Sequence, residues 1–378
     1  MSGPGARRVQ RVLLTTDTVG GVWTHTLELA RALGAAGVEV AIATLGTLPH
    51  PDQISEARAA VGPGLHALDC RLPWMDDPWD DLVTAQAWLG DLVARAEPDV
   101  VHLSEPALAG GWATPTVAVG HSCVLSWWQA VRGEPAPEQW ERYRRAMRAG
   151  LHAADAVVAP TEWMLSALRR YYGVPAGHVI PNGTDPGRFR PGAKDPLVVT
   201  ATRVWDPAKN VRSLDRAAAG LSWPVFAAGD DRPPGRSQPL VLEHLRTLGR
   251  LPGPEVARWL SRAAVFALPA RYEPFGLSAL EAALSGCVLV LGDIPSLRET
   301  WDGVALFVPP DDDRTLRLAL DALIDDPALR HMLAMRARRR ALGLTAERMG
   351  RRYLELYGRL LLRAGDGRPS REVPACAS

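Results

Sequence analysis

The chain has 378 residues, 47% of them hydrophobic and 22% charged, and its 43 basic side chains nearly cancel 42 acidic ones for a net charge of +1. That length exceeds what one ordinary core requires and fits two domains. So even a balance gives no ground for a nucleic-acid partner or for bulk attraction to a membrane.

Strand and helix signals alternate from the N-terminus. An apolar run at 11–16 predicts a first strand, Gly20-Gly21 a tight turn, and Leu27, Ala30 and Leu33 a helix over 24–35 that Gly37 ends. Strands are expected at 38–45, 99–103, 116–119, 156–159 and 179–181, with helices at 80–96, 138–153 and 161–172, the last capped by Thr161. Breakers then cluster from Asn182 to Gly192 and place a domain boundary near 188–195. Beyond it the alternation restarts. Strands are expected at 197–202, 225–228, 265–268, 288–291 and 305–308, and helices near 210–219, 254–262, 277–285, 312–325 and 345–362. The resulting fold class is α/β: two doubly wound, Rossmann-like halves with a ligand cleft between them at the carboxyl ends of the strands. Residues 1–190 form the first domain, 191–345 the second, 346–363 a final helix directed back toward the first, and 364–378 a disordered tail.

Cys70, Cys123, Cys287 and Cys376 are scattered, which argues against a disulfide framework or a structural zinc. No run of 18 apolar residues predicts a membrane span, and the apolar stretch after Arg11 is too short for a signal peptide. The cytoplasm is the expected location. Between Arg330 and Arg352 stand eight Arg and one Glu. Such a helix face suits solvent, and it would also suit contact with the inner face of an anionic membrane. Asp76-Asp77 and Asp311-Asp312-Asp313 read as solvated or capping residues, so no metal is expected.

Chemistry concentrates after two strands of the second half. Arg203 and Lys209 follow the strand at 197–202, where a guanidinium fork and an ammonium suit a diphosphate. The stretch Glu273-Pro274-Phe275-Gly276-Leu277 leads into a helix whose N-terminus favours phosphate, and Glu281 lies further along it. By itself an E-x7-E spacing is weak, and a Pro-Gly turn with two surface acids explains it as well.

Taken together, these segments resemble the retaining GT-B enzymes of glycosyltransferase family 4 (glycosyl transferases group 1), over about residues 11–362. The resembling segments are Val179 to Pro191, Ala201-Thr202-Arg203 through Lys209-Asn210, Glu273 to Glu281, Asp293 to Glu299, and Phe307-Val308-Pro309-Pro310. The resemblance implies transfer of a hexose-type sugar from a nucleotide-diphosphate sugar to an unidentified acceptor. Configuration would be kept by a front-face mechanism, with no metal or other cofactor. It implies that Gly20, Gly21, Arg203, Lys209, Gly276 and Leu277 hold the donor's diphosphate. Glu281 would hold the ribose, and Glu273 and His121 the reacting sugar. Where the family often has Gly-Gly, Ser296-Leu297 stands here, and Glu299 is kept. Trp127 and Trp128 are expected in a loop beyond His121, as a stacking surface or a staple. The alternative to an enzyme is a catalytically silent nucleotide-sugar-binding protein.

Overall fold

The computed structural model describes residues 8–232 and 238–365. Their contacts divide into two units, one of residues 8–126, 135–183 and 346–365, the other of 127–134 and 184–345. The cut after residue 183 falls upstream of the boundary expected from the breaker cluster.

In the first unit, β1 (Arg11–Asp17) leads through the Gly20-Gly21 turn to α1 (Gly21–Ala35), then to β2 (Glu39–Gly46). Next come α2 (Pro51–Val61), β3 (Leu65–Asp69), α3 (Trp79–Ala96), β4 (Val100–Leu103) and β5 (Thr116–Val119). After α4 (Val124–Arg132), whose residues from Trp127 onward count with the second unit, follow α5 (Glu141–Ala153), β6 (Ala156–Ala159), α6 (Glu162–Tyr172) and β7 (His178–Val179). All seven strands pair in parallel in the order β3-β2-β1-β4-β5-β6-β7. Their short, nearly continuous apolar runs are those of a sheet covered on both faces. Val12, Leu14, Val100, Val117 and Val119 enter one core, while Leu13, Val101 and Leu103 enter another on the opposite face. Thr161 caps α6 by accepting from the Met164 N–H at 3.1 Å.

The second unit has six parallel strands in the order β10-β9-β8-β11-β12-β13. They are β8 (Asp195–Ala201), β9 (Val225–Ala228), β10 (Arg246–Gly249), β11 (Ala263–Leu268), β12 (Val288–Gly292) and β13 (Leu306–Val308). Between and after them lie α7 (Val211–Ala218), α8 (Gly253–Arg262), α9 (Leu277–Leu284), α10 (Pro295–Trp301), α11 (Asp313–Asp325) and α12 (Pro327–Ala341). Alternate residues again feed two cores: Val199, Phe266 and Leu289 on one side, Val198, Val265 and Val288 on the other. The ammonium of Lys194 donates to the carbonyls of Leu260, Ser261 and Ser285 at 3.2, 2.9 and 2.6 Å, which closes the C-terminal ends of α8 and α9.

The last helix, α13 (Ala346–Gly365), belongs to the first unit. Met349, Tyr353, Leu356, Tyr357 and Leu360 are buried in the same core as Trp23, Leu27 and Ala30 of α1. The two helices approach closely at Gly350, where a Cβ would stand 2.7 Å from that of Ala32. Ala364 and Gly365 continue this helix, so the expected tail begins later than 364, and residues 366–378 lie outside the described residues. Among the described residues, no helix is long and apolar enough to cross a membrane.

Six elements have no counterpart among the strands and helices expected from the sequence: α2, β3, α4, β10, α10 and α12. Trp127 and Trp128 sit in α4 rather than in a loop. Their rings form a T-shaped pair 5.9 Å apart, with the Arg132 guanidinium 6.0 and 5.7 Å from the two centroids. An internal aromatic–cation cluster on one helix accounts for them.

Candidate active site

The strand order of the second unit reverses between β8 and β11, and the carboxyl ends at such a reversal form a ligand crevice. Val199 pairs with Phe266, so the residues that follow each strand emerge side by side. From β8 come Arg203 and Lys209, and from β11 come Glu273 and Gly276. The Lys209 ammonium donates to Glu273 Oε2 at 2.7 Å, and these side chains are only 9% and 16% exposed. The other carboxylate oxygen, Oε1, accepts from the Gly276 N–H at 2.9 Å, at the start of α9. Burial alone would raise the Glu273 carboxyl. The charge and hydrogen bond of Lys209, with the Gly276 and Phe275 amides, outweigh it and hold the group below its ordinary range.

Gly276 occupies the left-handed region at φ 88, and a Cβ there would stand 3.0 Å from Leu297 Cδ2. Glycine is what lets the chain turn into α9 at this point. No side chain caps that terminus, so the dipole and amides of its first turn point at the crevice. Leu277 opens the helix and Glu281 is its fifth residue. Ser296, which opens into α10 in place of the family's glycine, donates its hydroxyl to the Glu273 carbonyl at 2.6 Å and fixes the turn from behind.

Two further residues complete this cluster, and sequence reasoning passed over both. Asp206 is buried between the cations. It accepts from the Arg203 guanidinium at 2.7 Å and from the Ala208 N–H at 2.9 Å. Its burial acts to raise the carboxyl, and the charges of Arg203 and Lys209 overcome that. Asn210 takes a left-handed φ of 56 before α7, and its amide donates to the carbonyls of Pro269 and Pro310 at 3.0 and 2.5 Å, which ties the loops after β8, β11 and β13 together. An Asp three residues after an Arg, and an Asn just before a helix, were the available signals. Thus the structure holds Arg203, Lys209 and the Gly276 amide in bonds to Asp206 and Glu273, whereas the sequence reading left all three open for a diphosphate.

Of the aspartates set aside as non-metal residues, the three that follow Pro310 have partners. Asp312 accepts from the Thr315 N–H and hydroxyl at 2.9 and 2.6 Å and caps α11, Asp313 pairs with Arg216, and Asp311 pairs with Arg271 at 2.6 Å.

In the first unit, Gly20 is the N-cap of α1 at φ 79, with no side-chain cap on that terminus. His121 follows β5 and its ring meets that of His25 on α1 edge-on at 4.6 Å. His102 stands 6.3 Å from His25, and its Nδ1 shares a 2.6 Å hydrogen bond with the Tyr357 hydroxyl of α13. Burial lowers all three imidazoles, His25 to about 4 against some opposition from the Asn182 side chain, and the other two well below the ordinary value. At neutral pH each ring is uncharged and offers one donor and one acceptor. The Asn182 side chain lies near enough to oppose that lowering, but no hydrogen bond of ordinary geometry reaches either nitrogen of His25, which is only 1% exposed.

Comparison with known proteins now adds to this geometry. Residues 19–188 match the model of Glycosyltransferase Family 4, and residues 195–340 that of Glycosyl transferases group 1. The D-inositol 3-phosphate glycosyltransferase of Kineococcus radiotolerans is 30% identical over 91% of this chain and 91% of that protein. Among solved structures, sucrose-phosphate synthase from Thermosynechococcus elongatus superposes with a TM-score of 0.76 at 22% identity, over 94% of this chain and 100% of that one. HepE of Anabaena in complex with UDP-glucose gives a TM-score of 0.73 at 16% identity, over 92% and 98%. With both halves matched in order on two Rossmann-like sheets, the chain belongs to glycosyltransferase family 4 and is a glycosyltransferase of the GT-B fold class.

Proposed function

We propose that the chain transfers a sugar from a nucleoside-diphosphate sugar to an acceptor hydroxyl with retention of anomeric configuration, by front-face departure and without a metal ion. The observation that carries this reading is the 2.7 Å contact of Lys209 with Glu273 at the strand reversal of the second unit, beside the open terminus of α9. A diphosphate arriving there meets Lys209, Arg203 and the first-turn amides of α9, which together supply the positive field that a leaving diphosphate needs. Glu281 accepts from the ribose hydroxyls, and Gly20 and Gly21 offer backbone amides to a donor phosphate. Neutral His121 and the ionised Glu273 hold hydroxyls of the reacting sugar.

Glu273 is bound through both oxygens to the groups that would cradle the phosphate, so it belongs to the leaving-group side of the sugar. A double displacement needs a carboxylate on the opposite face of the anomeric carbon. Front-face departure needs none. The bond from the anomeric carbon to the diphosphate oxygen breaks, and its electron pair stays on that oxygen. The acceptor hydroxyl oxygen bonds to the same face, and its proton passes to the departing diphosphate. The HepE complex with UDP-glucose, in the same fold, supports the choice of donor class.

A donor screen with UDP-, GDP- and ADP-sugars, read by nucleoside diphosphate release and by proton NMR of the product's anomeric coupling, tests the reading. The expected product keeps the donor's configuration, and Glu273→Gln lowers turnover without changing it. An inverted product, or a glycosyl ester trapped on Glu273, would sink the mechanism.

A further inference from the structure

The first sheet also reverses its order, between β1 and β4, with β2 and β3 on one side and β5, β6 and β7 on the other. Its carboxyl edge at that point is the ligand crevice of this unit. The register fixes which residues meet there. Leu14 pairs with His102, and continuing along both strands brings Asp17, the last residue of β1, level with Glu105, just beyond β4. Two carboxyl groups therefore stand at the reversal. Burial, with the charge of Asp17 added, pushes the Glu105 carboxyl up to about 8, so at neutral pH Glu105 is mainly a neutral donor and acceptor and Asp17 carries the charge of the pair.

The surroundings have the same sign. The loop after β3 contributes Asp76 and Asp77, both exposed, and Asp69 closes β3 itself. Within the first unit, the described loops that leave the carboxyl ends of the seven strands hold a single arginine, Arg71, and Asp81 takes its guanidinium at 2.7 Å. Lys194 and Lys209 are the chain's only lysines, and both belong to the other unit. His25, His102 and His121 add hydrogen-bonding atoms but no positive charge at neutral pH. Buried His25 in particular, on the helix that leaves β1, has no hydrogen bond of ordinary geometry at either ring nitrogen. The N-terminus of α1 favours an anion, and the proposed reading gives it to the donor phosphate.

We propose that the acceptor is a polyhydroxylated molecule without phosphate or carboxylate, neutral or amino-substituted, held by Asp17 and Glu105 at the strand reversal of the first unit. This rests on the reading of the first unit as the acceptor side of a glycosyltransferase. Carboxyl groups accept from hydroxyls and ammonium groups, whereas a phosphate beside Asp17 meets like charge, and Arg71, the arginine of the surrounding first-unit loops, is already paired with Asp81.

Matched acceptors test it at a fixed donor: glucose against glucose 6-phosphate, and inositol against inositol 3-phosphate, with glucosamine as the amino member. The unphosphorylated member of each pair should have a kcat/KM about tenfold higher or more. The KM of the phosphorylated member should fall as salt is raised, because screening weakens repulsion. A phosphorylated acceptor used as well as its partner overturns the inference. If none of these acceptors is glycosylated, calorimetry decides, with nucleoside diphosphate saturating the donor side: tighter binding of inositol 3-phosphate than of inositol overturns the inference, and weaker binding supports it. The double variant Asp17→Asn with Glu105→Gln should narrow the difference within each pair, and the wild-type comparison stands whether or not that variant folds. Failure to release nucleoside diphosphate from any nucleotide sugar would instead count against the proposed function.

Discussion

Lys209 shows how much one side chain can hold. It is one of two lysines in the chain, nearly buried, and bonded to Glu273. Lys209→Ala removes the cation and leaves Glu273 buried without its main partner. Truncating one member of a desolvated pair costs about 2–5 kcal/mol, so kcat/KM for donor should fall by a factor of tens to thousands. Initial rates across donor concentration check this, and unchanged efficiency would remove Lys209 from the site. The buried histidines make a separate prediction. In the unfolded chain each takes a proton as pH falls below about 6.5, whereas the folded protein keeps His25 neutral to about 4. Stability that is complete above that window should be lost as pH falls through it. Denaturant midpoints at pH 7 and pH 5 would show the drop, and His25→Phe should reduce it. An equal drop in the variant would assign the acid sensitivity elsewhere.

At the scale of elements, the decisive feature is the turn into α9. Gly276 at φ 88 aims both the helix terminus and the Glu273 carboxylate, and Leu297 closes the space behind it. Gly276→Ala should therefore cost stability of about 1–3 kcal/mol from strain and weaken nucleoside diphosphate binding in the same protein. Paired unfolding and calorimetric titrations measure both, and a variant with wild-type affinity would separate the turn from the site. The sheets were legible because their apolar β-branched runs are bounded by breakers. β5, β6 and β9 have the same bounds in the structure as in the sequence reading. Three of the missed elements carry weak local signals. The β3 and β10 segments, LHALD and RTLG, are at most half-buried edge strands with little apolar signal, and α10 spans only 7 residues behind a Pro. In the candidate site, the residue types in the E-x7-E and Arg-Lys segments were readable. That Asp206 and Glu273 occupy those cations was not, because it depends on the register between β8 and β11.

For the whole molecule, binding and stability are linked. A nucleoside diphosphate that binds only the folded second unit stabilises it by about 2.7 kcal/mol at 100 times its Kd. Differential scanning calorimetry should show a transition moving upward with added nucleoside diphosphate, by the same amount with and without EDTA. Disappearance of the shift on chelation would contradict metal-free binding.

The placement of α13 bears on how the protein is made. A ribosome delivers this helix only after residues 184–345 have emerged, yet it lines the core of the first unit against α1. The apolar stripe of α1, with Trp23 and Leu27, therefore stays uncovered throughout synthesis of the second unit, which completes its own two cores earlier. The half that begins first finishes last. A premature stop after Thr345 would leave every second-unit donor residue in place and still strand the first unit with an open hydrophobic face, a substrate for chaperones and proteases rather than a smaller enzyme.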